Sequence, residues 1–413
     1  MQFDFQRGAV VLLLIAALVA ILSRRLRLPY SVGLVAAGML VALLPFAPPV
    51  ALSRELIFTG LLPPLIFEAA FLIRWRELSR ELPLILVLAT AGVLLSALLT
   101  AAGMSLLAHW DWPAALVFGI LIAATDPVSV ISLFREAGAH GRLRFLLEAE
   151  SLLNDGTAAV GFSLAVAAAS AHPASFPGLI GAALASAGIG VLCGAAAGQL
   201  ALSLMVRTPD HLVETLCTTV AAYGSFLMAD SLHASGVFAT LTAGLLVGNL
   251  GPRGPLSPQG RETVLTFWAY AAFVANSIIF LLAGMRETSN RFWTSWRPAA
   301  IAALAVTLSR AAAIYSLCAL FSRSPLRVGM ARQHVLVWGG LRGALALALV
   351  LGLPPSLPRR EEIVTVTFAV VAWSIFVQGL TIAPLAQKLG QIKPGRAPAA
   401  SQNPTAPGTA QPN

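Results

Sequence analysis

The sequence predicts an all-α polytopic membrane protein with about thirteen transmembrane helices. Two observations carry this prediction. The 413-residue chain is 57% hydrophobic and only 11% charged, with a mean hydropathy of +0.81, whereas soluble domains carry about 25% charged residues. In addition, apolar segments close to the roughly 20 residues that a helix needs to cross a bilayer recur along the whole chain.

Thirteen segments qualify as candidate spans. The first one is expected to be retained rather than cleaved as a signal peptide, because the basic stretch SRRLRL follows it and no small-residue cleavage site does. In chain order the spans are 8–22, 29–47, 56–73, 82–107, 113–134, 145–170, 178–206, 211–230, 234–249, 264–284, 298–321, 334–352 and 363–388.

The distribution of Lys and Arg predicts an external N-terminus and a cytoplasmic C-terminus. With this orientation the seven cytoplasmic regions hold 18 of the 27 basic residues when Lys388, the last residue of span 13, is counted with the tail; the external regions hold 7, and Arg310 and Arg342 lie within spans. Basic residues are enriched in the cytoplasmic loops of membrane proteins. The external loop 285–297, with three arginines, departs from this pattern. Residues 390–413 are rich in Pro, Ala and polar residues and are expected to form a disordered cytoplasmic tail.

Two pairs of spans indicate an internal repeat. Span 2 contains AAGMLV and span 9 contains TAGLLV. The same offset of seven spans relates span 5, interrupted by Thr125-Asp126-Pro127, to span 12, interrupted at 339–343. An odd offset inverts the second copy in the bilayer, and inverted repeats with paired broken helices are typical of secondary transporters. An ordinary kink without function is the alternative for Pro127.

Charged side chains occur in the middle of several spans, where they are costly and need a partner or a function. They are Glu68, Asp126, Glu150, Asp155, Arg310 and Arg342. Span 6 also carries four polar residues spaced i, i+1, i+4 and i+5, which places them on one helical face. These are Glu150, Ser151, Asn154 and Asp155. Asp155 lies about 15 Å from the start of its span, at a depth similar to that of Asp126, so the two carboxylates can meet.

Structural roles compete with ion binding at three of the acidic residues. Glu150 is expected to pair with an intramembrane arginine, and Arg310 is the favoured partner. Glu68 forms either part of the wall of a site or a hydrogen bond between helices. Glu148 lies near the cytoplasmic end of span 6, where it can simply face water.

Several other functions lack support in the sequence. The net charge of +9 is spread over short loops, which argues against nucleic acid as a partner. The six histidines lie at span ends or in loops, and the three cysteines lie in apolar segments, so neither set indicates a metal site. A phosphate-binding glycine loop is missing, which argues against direct use of ATP. An intramembrane aspartyl protease remains a rival, but Asp126 and Asp155 lack the Gly-x-Gly-Asp context. A cation channel and a non-transporting sensor also remain alternatives.

Several motifs resemble the sodium/proton exchangers of the NhaP/NHE branch of the monovalent cation:proton antiporters. They are ATDPVSV, EAESLLNDGTA, LLPPLIFEAA, SGVFATLTAGLLVGN, LSRAAAIY and WGGLRGALALAL. The resemblance covers residues 8 to 389. It implies a transporter without enzymatic activity or cofactor, which exchanges a monovalent cation for protons across a bacterial inner (plasma) membrane.

The same resemblance implies a domain organisation. The protein would be a homodimer in lipid, with dimerisation helices in 8–73 and 178–284. A mobile core would comprise 82–170 and 298–388. The protein is expected to differ from the animal exchangers in lacking a long cytosolic tail.

The resemblance also implies a role for each polar residue. Asp155 would bind Na⁺ and the proton in turn. Further contributions to the site would come from Asn154, Ser151, Thr125, Asp126 and Glu68. Arg310 would bridge to Glu150, and Arg342 would balance the charges of broken helix 12.

The pair Asn154-Asp155 carries a further implication. In the electroneutral branch of the family an asparagine precedes the aspartate, whereas in the electrogenic branch both are aspartates. One carboxylate can hold one monovalent cation or one proton, which predicts one-for-one exchange. Because burial favours the protonated form of a carboxyl group, protons and Na⁺ would compete for it. Li⁺ and K⁺ remain alternative cations.

Overall fold

The computed structural model describes residues 2–26, 29–43, 55–126, 141–169, 176–286 and 295–392. In these ranges the chain is helical, with turns and short extended connections between the helices. Pro127, the remainder of span 5 and the tail residues 393–413 lie outside the described residues. The helices are α1 (Gln2–Leu26), α2 (Tyr30–Ala42), α3 (Leu62–Leu72), α4 (Trp75–Ala89), α5 (Ala91–Leu107), α6 (Trp112–Leu121), α7 (Arg142–Ala169), α8 (Phe176–Met205), α9 (His211–Ser231), α10 (Gly236–Leu250), α11 (Pro258–Arg286), α12 (Trp296–Leu320), α13 (Met330–Trp338), α14 (Ala344–Leu351), α15 (Arg360–Trp373) and α16 (Gly379–Lys388).

Eight helical segments in the described residues are long and apolar enough to cross a membrane, by length and composition. A helix covers part or all of each predicted span, but several of these helices are shorter than the length that a membrane crossing requires. The protein is thus a multi-pass membrane protein, while the count of thirteen crossings stays a prediction. The eight segments are Gly8–Leu26, Trp75–Leu107, Arg142–Ala169, Pro177–Met205, His211–Ser231, Pro258–Met285, Trp296–Leu320 and Arg360–Lys388.

Helix bounds differ from the predicted spans where polar residues continue a helix past its apolar part. The helix of span 1 begins at Gln2 rather than at residue 8, and α11 begins six residues before the apolar stretch of span 10. The first turns of α4 are amphipathic and precede span 4, and Thr90 separates α4 from α5 within that span. The Thr90 hydroxyl donates to the carbonyl of Leu86 at 2.6 Å, and such a bond to the preceding turn bends helices.

Capping side chains fix the starts of two helices. Asp210 accepts hydrogen bonds from the backbone N–H groups of Leu212 and Val213 at the start of α9. Ser235 accepts one from Phe238 at the start of α10. These bonds satisfy N–H groups that have no carbonyl partner within the first turn of a helix, so the polar residues between apolar segments set where the spans begin.

The helices form two packing groups. Helices α1–α3 and α8–α11 pack mainly with one another, and α4–α7 and α12–α16 form a second group that packs mainly within itself. Small residues allow close contact within the first group. A Cβ atom on Gly38 of α2 would collide with the carbonyl oxygen of Leu281 on α11, and one on Gly284 would collide with that of Val35. Such close approach of backbones is typical of membrane helix pairs.

Candidate functional site

Two non-helical segments meet at the centre of the second packing group. Helix α6 ends at Leu121, and the chain is extended by the time it reaches Asp126. Helix α13 ends at Trp338, and α14 begins only at Ala344. The segments 122–126 and 339–343 contact each other through an antiparallel bridge, in which the N–H of Asp126 donates to the carbonyl of Leu341 at 2.7 Å. Irregular backbone inside a membrane protein is tolerated where it is buried in protein or lines a cavity.

Arg342 binds the end of the other segment. Its guanidinium donates to the carbonyl oxygens of Ala123 at 2.7 Å and Ala124 at 3.2 Å, while its own N–H donates to the hydroxyl of Ser374 at 3.0 Å. Arg342 is 2% exposed. The observed contacts are to the carbonyls of Ala123 and Ala124, in the segment that follows α6. Arg342 thus joins the segment 339–343 to the segment 122–126, and its predicted role in balancing the charges of broken helix 12 stays a prediction.

Glu150 and Arg310 form the ion pair that the sequence favours. The two guanidinium nitrogens of Arg310 lie 2.8 and 2.9 Å from the two carboxylate oxygens of Glu150, and the side chains are 6% and 1% exposed. A bidentate pair of this geometry is among the strongest polar contacts in proteins. The pair joins α7 to α12, and both charges are used in holding the helices together.

Asn154 connects this ion pair to the segment after α6. Its amide nitrogen donates to a carboxylate oxygen of Glu150 at 3.0 Å and to the hydroxyl of Thr125 at 2.7 Å. Its amide oxygen accepts the N–H of Thr125 at 3.3 Å. The hydroxyl of Ser151 donates to the carbonyl of Thr125. Side chains of α7 therefore bond to the N–H group, the carbonyl and the hydroxyl of Thr125.

A cavity of about 220 Å³ lies beside these segments. Its wall is formed by α3, residues 124–126, one face of α7, the start of α14 and a single residue of α11. It has room for several water molecules. Most of the lining is apolar, and the polar residues that line it are Glu68, Thr125, Asp126, Glu148, Ser151, Asp155 and Asn276.

The cavity brings together most of the predicted site residues. Along α7 the lining positions are 148, 151, 152 and 155, which share one helical face. Asp155 is deep along this face, and Glu148 lies about 10 Å nearer the start of α7. Glu148 also forms an ion pair with Arg144 at 2.8 Å, so its charge is already compensated by an arginine where it borders the cavity.

Asp126 reaches the start of α14. A Cβ atom on Gly343 would collide with the Cβ atom and a carboxylate oxygen of Asp126, so this position accommodates only glycine while the aspartate keeps its place. Gly343 directly precedes Ala344, the first residue of α14. A carboxylate beside a helix N-terminus is stabilised by the partial positive charge of the helix dipole. The acidic group thus has a stable position at the border of the cavity.

The single polar face predicted for span 6 is divided in two. Glu150 and Asn154 point towards Arg310 and Thr125, whereas Asp155 lines the cavity. Asn154 is 0% exposed and does not line the cavity. Residues at i and i+1 differ by about 100° around a helix, so a face this broad can serve two neighbours.

Three polar residues of the centre were missed by the sequence analysis. Asn276 lines the cavity from α11. Ser374 accepts the N–H of Arg342 and donates to the amide oxygen of Gln378 at 2.7 Å. Ser374 and Gln378 bound a π-helical turn between α15 and α16, and such turns are frequent at functional sites. Uncharged polar residues inside apolar helices were the available signal.

Buried charges and non-helical backbone at the centre of a helical membrane protein are typical of membrane transporters. The structure of the sodium proton antiporter MjNhaP1 from Methanocaldococcus jannaschii has the same fold, with a TM-score of 0.76, 20% sequence identity and coverage of 94% of this chain and 98% of that one. The family model described as "Sodium/hydrogen exchanger, transmembrane" matches residues 11–388. The chain belongs to this family, whose members are transporters and not enzymes.

Two curated relatives are similar along most of their length. The Na⁺/H⁺ antiporter ApNhaP of Aphanothece halophytica is 39% identical over 368 residues, which make up 89% of this chain and 70% of the relative. The Na⁺/H⁺ antiporter NhaG of Bacillus atrophaeus is 35% identical over 401 residues, 94% of this chain and 75% of the relative. The predicted resemblance to Na⁺/H⁺ antiporters is thereby confirmed.

Proposed function

We propose that this protein exchanges Na⁺ for H⁺ across the cytoplasmic membrane, with the carboxylate of Asp155 binding the two ions in turn. The observation that carries the proposal is the position of Asp155, on the cavity wall beside Asp126 and the non-helical segment around Thr125. Hard cations prefer oxygen ligands, and the hydroxyl and carboxylate groups here provide them. The transported Na⁺ is a substrate at this site.

Competition between the ions follows from the surroundings of Asp155. A charged carboxylate in a largely apolar cavity is costly, so it takes up either a proton or a metal cation. The two ions exclude each other because they use the same oxygen atoms. When the loaded site is exposed to one side of the membrane at a time, this exclusion couples their movements in opposite directions.

Alternating access would use the two packing groups described above. The cavity reaches Leu72, whose side chain is exposed, and Glu148 near the start of α7. With the predicted orientation these residues lie on the cytoplasmic side, so this conformation would face inwards. We assign the group containing α4–α7 and α12–α16 as the mobile core and the other group as the dimerisation domain of a homodimer. The crossing segments 122–126 and 339–343 would belong to the paired broken helices of an inverted repeat.

The contacts of Asn154 support electroneutral exchange. Its amide is bonded to Thr125 and Glu150, so of the neighbouring pair Asn154-Asp155 only the aspartate contributes a carboxylate to the cavity. Glu150 is neutralised by Arg310. With Asp155 as the carboxylate that exchanges ions, the site would carry one Na⁺ or one H⁺ at a time, and a complete cycle would move no net charge across the membrane.

The test is dye-reported proton movement in sealed proteoliposomes on addition of Na⁺, Li⁺ or K⁺, with and without a clamped membrane voltage. We expect saturable, voltage-independent flux with Na⁺ that is lost in Asp155→Asn. The matched control is Ser163→Ala, because Ser163 lies on the same helix, is exposed, and bonds only to Ala159 among the described residues. It should retain exchange.

Each alternative has its own signature in this assay. Activity in Asp155→Asn equal to that of the wild type would refute the assignment of the carboxylate. Flux that depends on voltage would contradict one-for-one exchange. Cation movement without an opposing proton flux would indicate a channel.

A further inference from the structure

Asn276 contributes a polar group to the cavity wall from a helix that carries none of the predicted site residues. It lies on α11, in the packing group that does not contain Asp155, and is the one residue of α11 that lines the cavity. Among the described residues, the other polar groups that line it lie on α7, in the segment 124–126 and, as Glu68, on α3 of the same packing group. A group at this position faces the site across the boundary between the two packing groups.

The backbone around Asn276 is held firmly. The neighbouring Ser277 forms a hydrogen bond of 2.7 Å with the hydroxyl of Tyr30 on α2. The ring of Tyr30 stacks on Phe273, with ring centroids 5.0 Å apart. These contacts fix the rotation of α11 against α2. The direction in which Asn276 points is therefore set by the packing of its neighbours.

The amide oxygen of Asn276 is buried without a hydrogen-bond donor in the described part of the chain. The residue is 8% exposed. Buried polar atoms are almost always satisfied, and one that is not needs an explanation such as a bound ion. An amide oxygen only accepts, so its complement in the cavity is a cation or a donor.

We propose that the amide oxygen of Asn276 coordinates the transported cation while the cavity is in this conformation. The inference rests on the function proposed above and adds a ligand to its site. A neutral amide oxygen binds a metal cation directly as a ligand, whereas the competing proton is held covalently by the Asp155 carboxylate. Asn276 would therefore favour Na⁺ over H⁺ in their competition, whereas the carboxylates attract both. Because it belongs to the other packing group, this ligand would be lost when the groups move.

The decisive variant is Asn276→Leu, which keeps the branched shape of the side chain and removes its polar atoms. We expect a rise of about tenfold in the KM for Na⁺, the effect of losing one contact to a charged group, with the maximal rate within about twofold of wild type. Without Na⁺ the melting temperature should be unchanged or higher, because a buried unsatisfied group is removed. The increase in melting temperature on replacing choline with Na⁺ should shrink.

Two further variants separate coordination from packing. Asn276→Asp keeps an oxygen at the same position, and its KM for Na⁺ should be no higher than that of wild type. Ser277→Ala removes the bond to Tyr30 but does not line the cavity. It should lower the melting temperature and leave the KM unchanged, because the stacking of Tyr30 on Phe273 still holds α11 against α2. If Asn276→Leu cannot be purified, Asn276→Ala takes its place with the same measurements.

The outcomes distinguish this inference from the proposed function. If the wild type exchanges ions and Asn276→Leu keeps its KM and its Na⁺-dependent melting shift, the ligand role is wrong and the function stands. An equal rise in KM in Ser277→Ala would reduce the effect to packing and overturn the inference. If the wild type shows no exchange, the proposed function fails, and the melting shift with Na⁺ still tests whether Asn276 binds the cation.

Discussion

Replacing Arg310 with methionine should destabilise the protein strongly. The variant removes both guanidinium contacts to Glu150, at 2.8 and 2.9 Å, from side chains that are 6% and 1% exposed. Glu150 keeps the hydrogen bond from Asn154 but has lost its compensating charge. Breaking a buried pair in this way costs about 3–5 kcal/mol.

The measurement is the melting temperature in detergent, determined from the fraction of protein that stays monodisperse after heating. The cost corresponds to a decrease on the order of 10 °C. Combining Arg310→Met with Glu150→Gln removes the stranded charge, so the double variant should recover most of the loss. The matched control is Arg74→Met, because Arg74 pairs with Glu77 at the surface and such pairs contribute about 1 kcal/mol or less. A single variant as stable as wild type, or a double variant that shows the simple addition of two losses, would contradict the reasoning.

Two further predictions concern the residues beside the cavity. Gly343→Ala forces its Cβ atom against Asp126, so we expect exchange to fall at least about tenfold through displacement of the carboxylate. The control is Gly181→Ala, whose added Cβ meets no atom within 4 Å and which should exchange at the wild-type rate. Equal rates in the two variants would show that exchange does not depend on the position of the Asp126 carboxylate. Asn154→Asp replaces a hydrogen bond of 3.0 Å to Glu150 with a second negative charge. The free energy of unfolding should fall by about 1.5–3 kcal/mol, as for a lost buried hydrogen bond to a charged group, and the melting temperature should fall with it. A stability equal to that of wild type would show that position 154 tolerates charge, and would weaken the connecting role assigned to the amide.

The pairing of Glu150 with Arg310 could be predicted from the sequence. A charge inside an apolar span is so costly that few arrangements remain possible, and only two arginines lie within spans. The resemblance to the antiporters pointed to Arg310 as the partner. The positions of the helices were predictable for a related reason, because apolar length alone limits where a chain can cross a bilayer.

The contacts of Arg342 and Asn276 could not be predicted in the same way. Arg342 binds the carbonyls of Ala123 and Ala124, more than 200 residues earlier in the chain. This contact depends on the two non-helical segments meeting in the folded protein. Asn276 is one uncharged polar residue in a long apolar helix, and its spacing does not distinguish a ligand from a helix–helix contact. The division of the polar face of α7 also depends on which neighbours approach it.

The ties between the segments 122–126 and 339–343 bear on the interval in which the site holds no ion. Asp126 N–H is bonded to Leu341, and the carbonyls of Ala123 and Ala124 are bonded to Arg342. These contacts are made by the protein's own groups, so they do not depend on a bound ion. We expect the empty site to retain its shape. One ion can then depart before its competitor arrives, and the wait between them carries no conformational penalty.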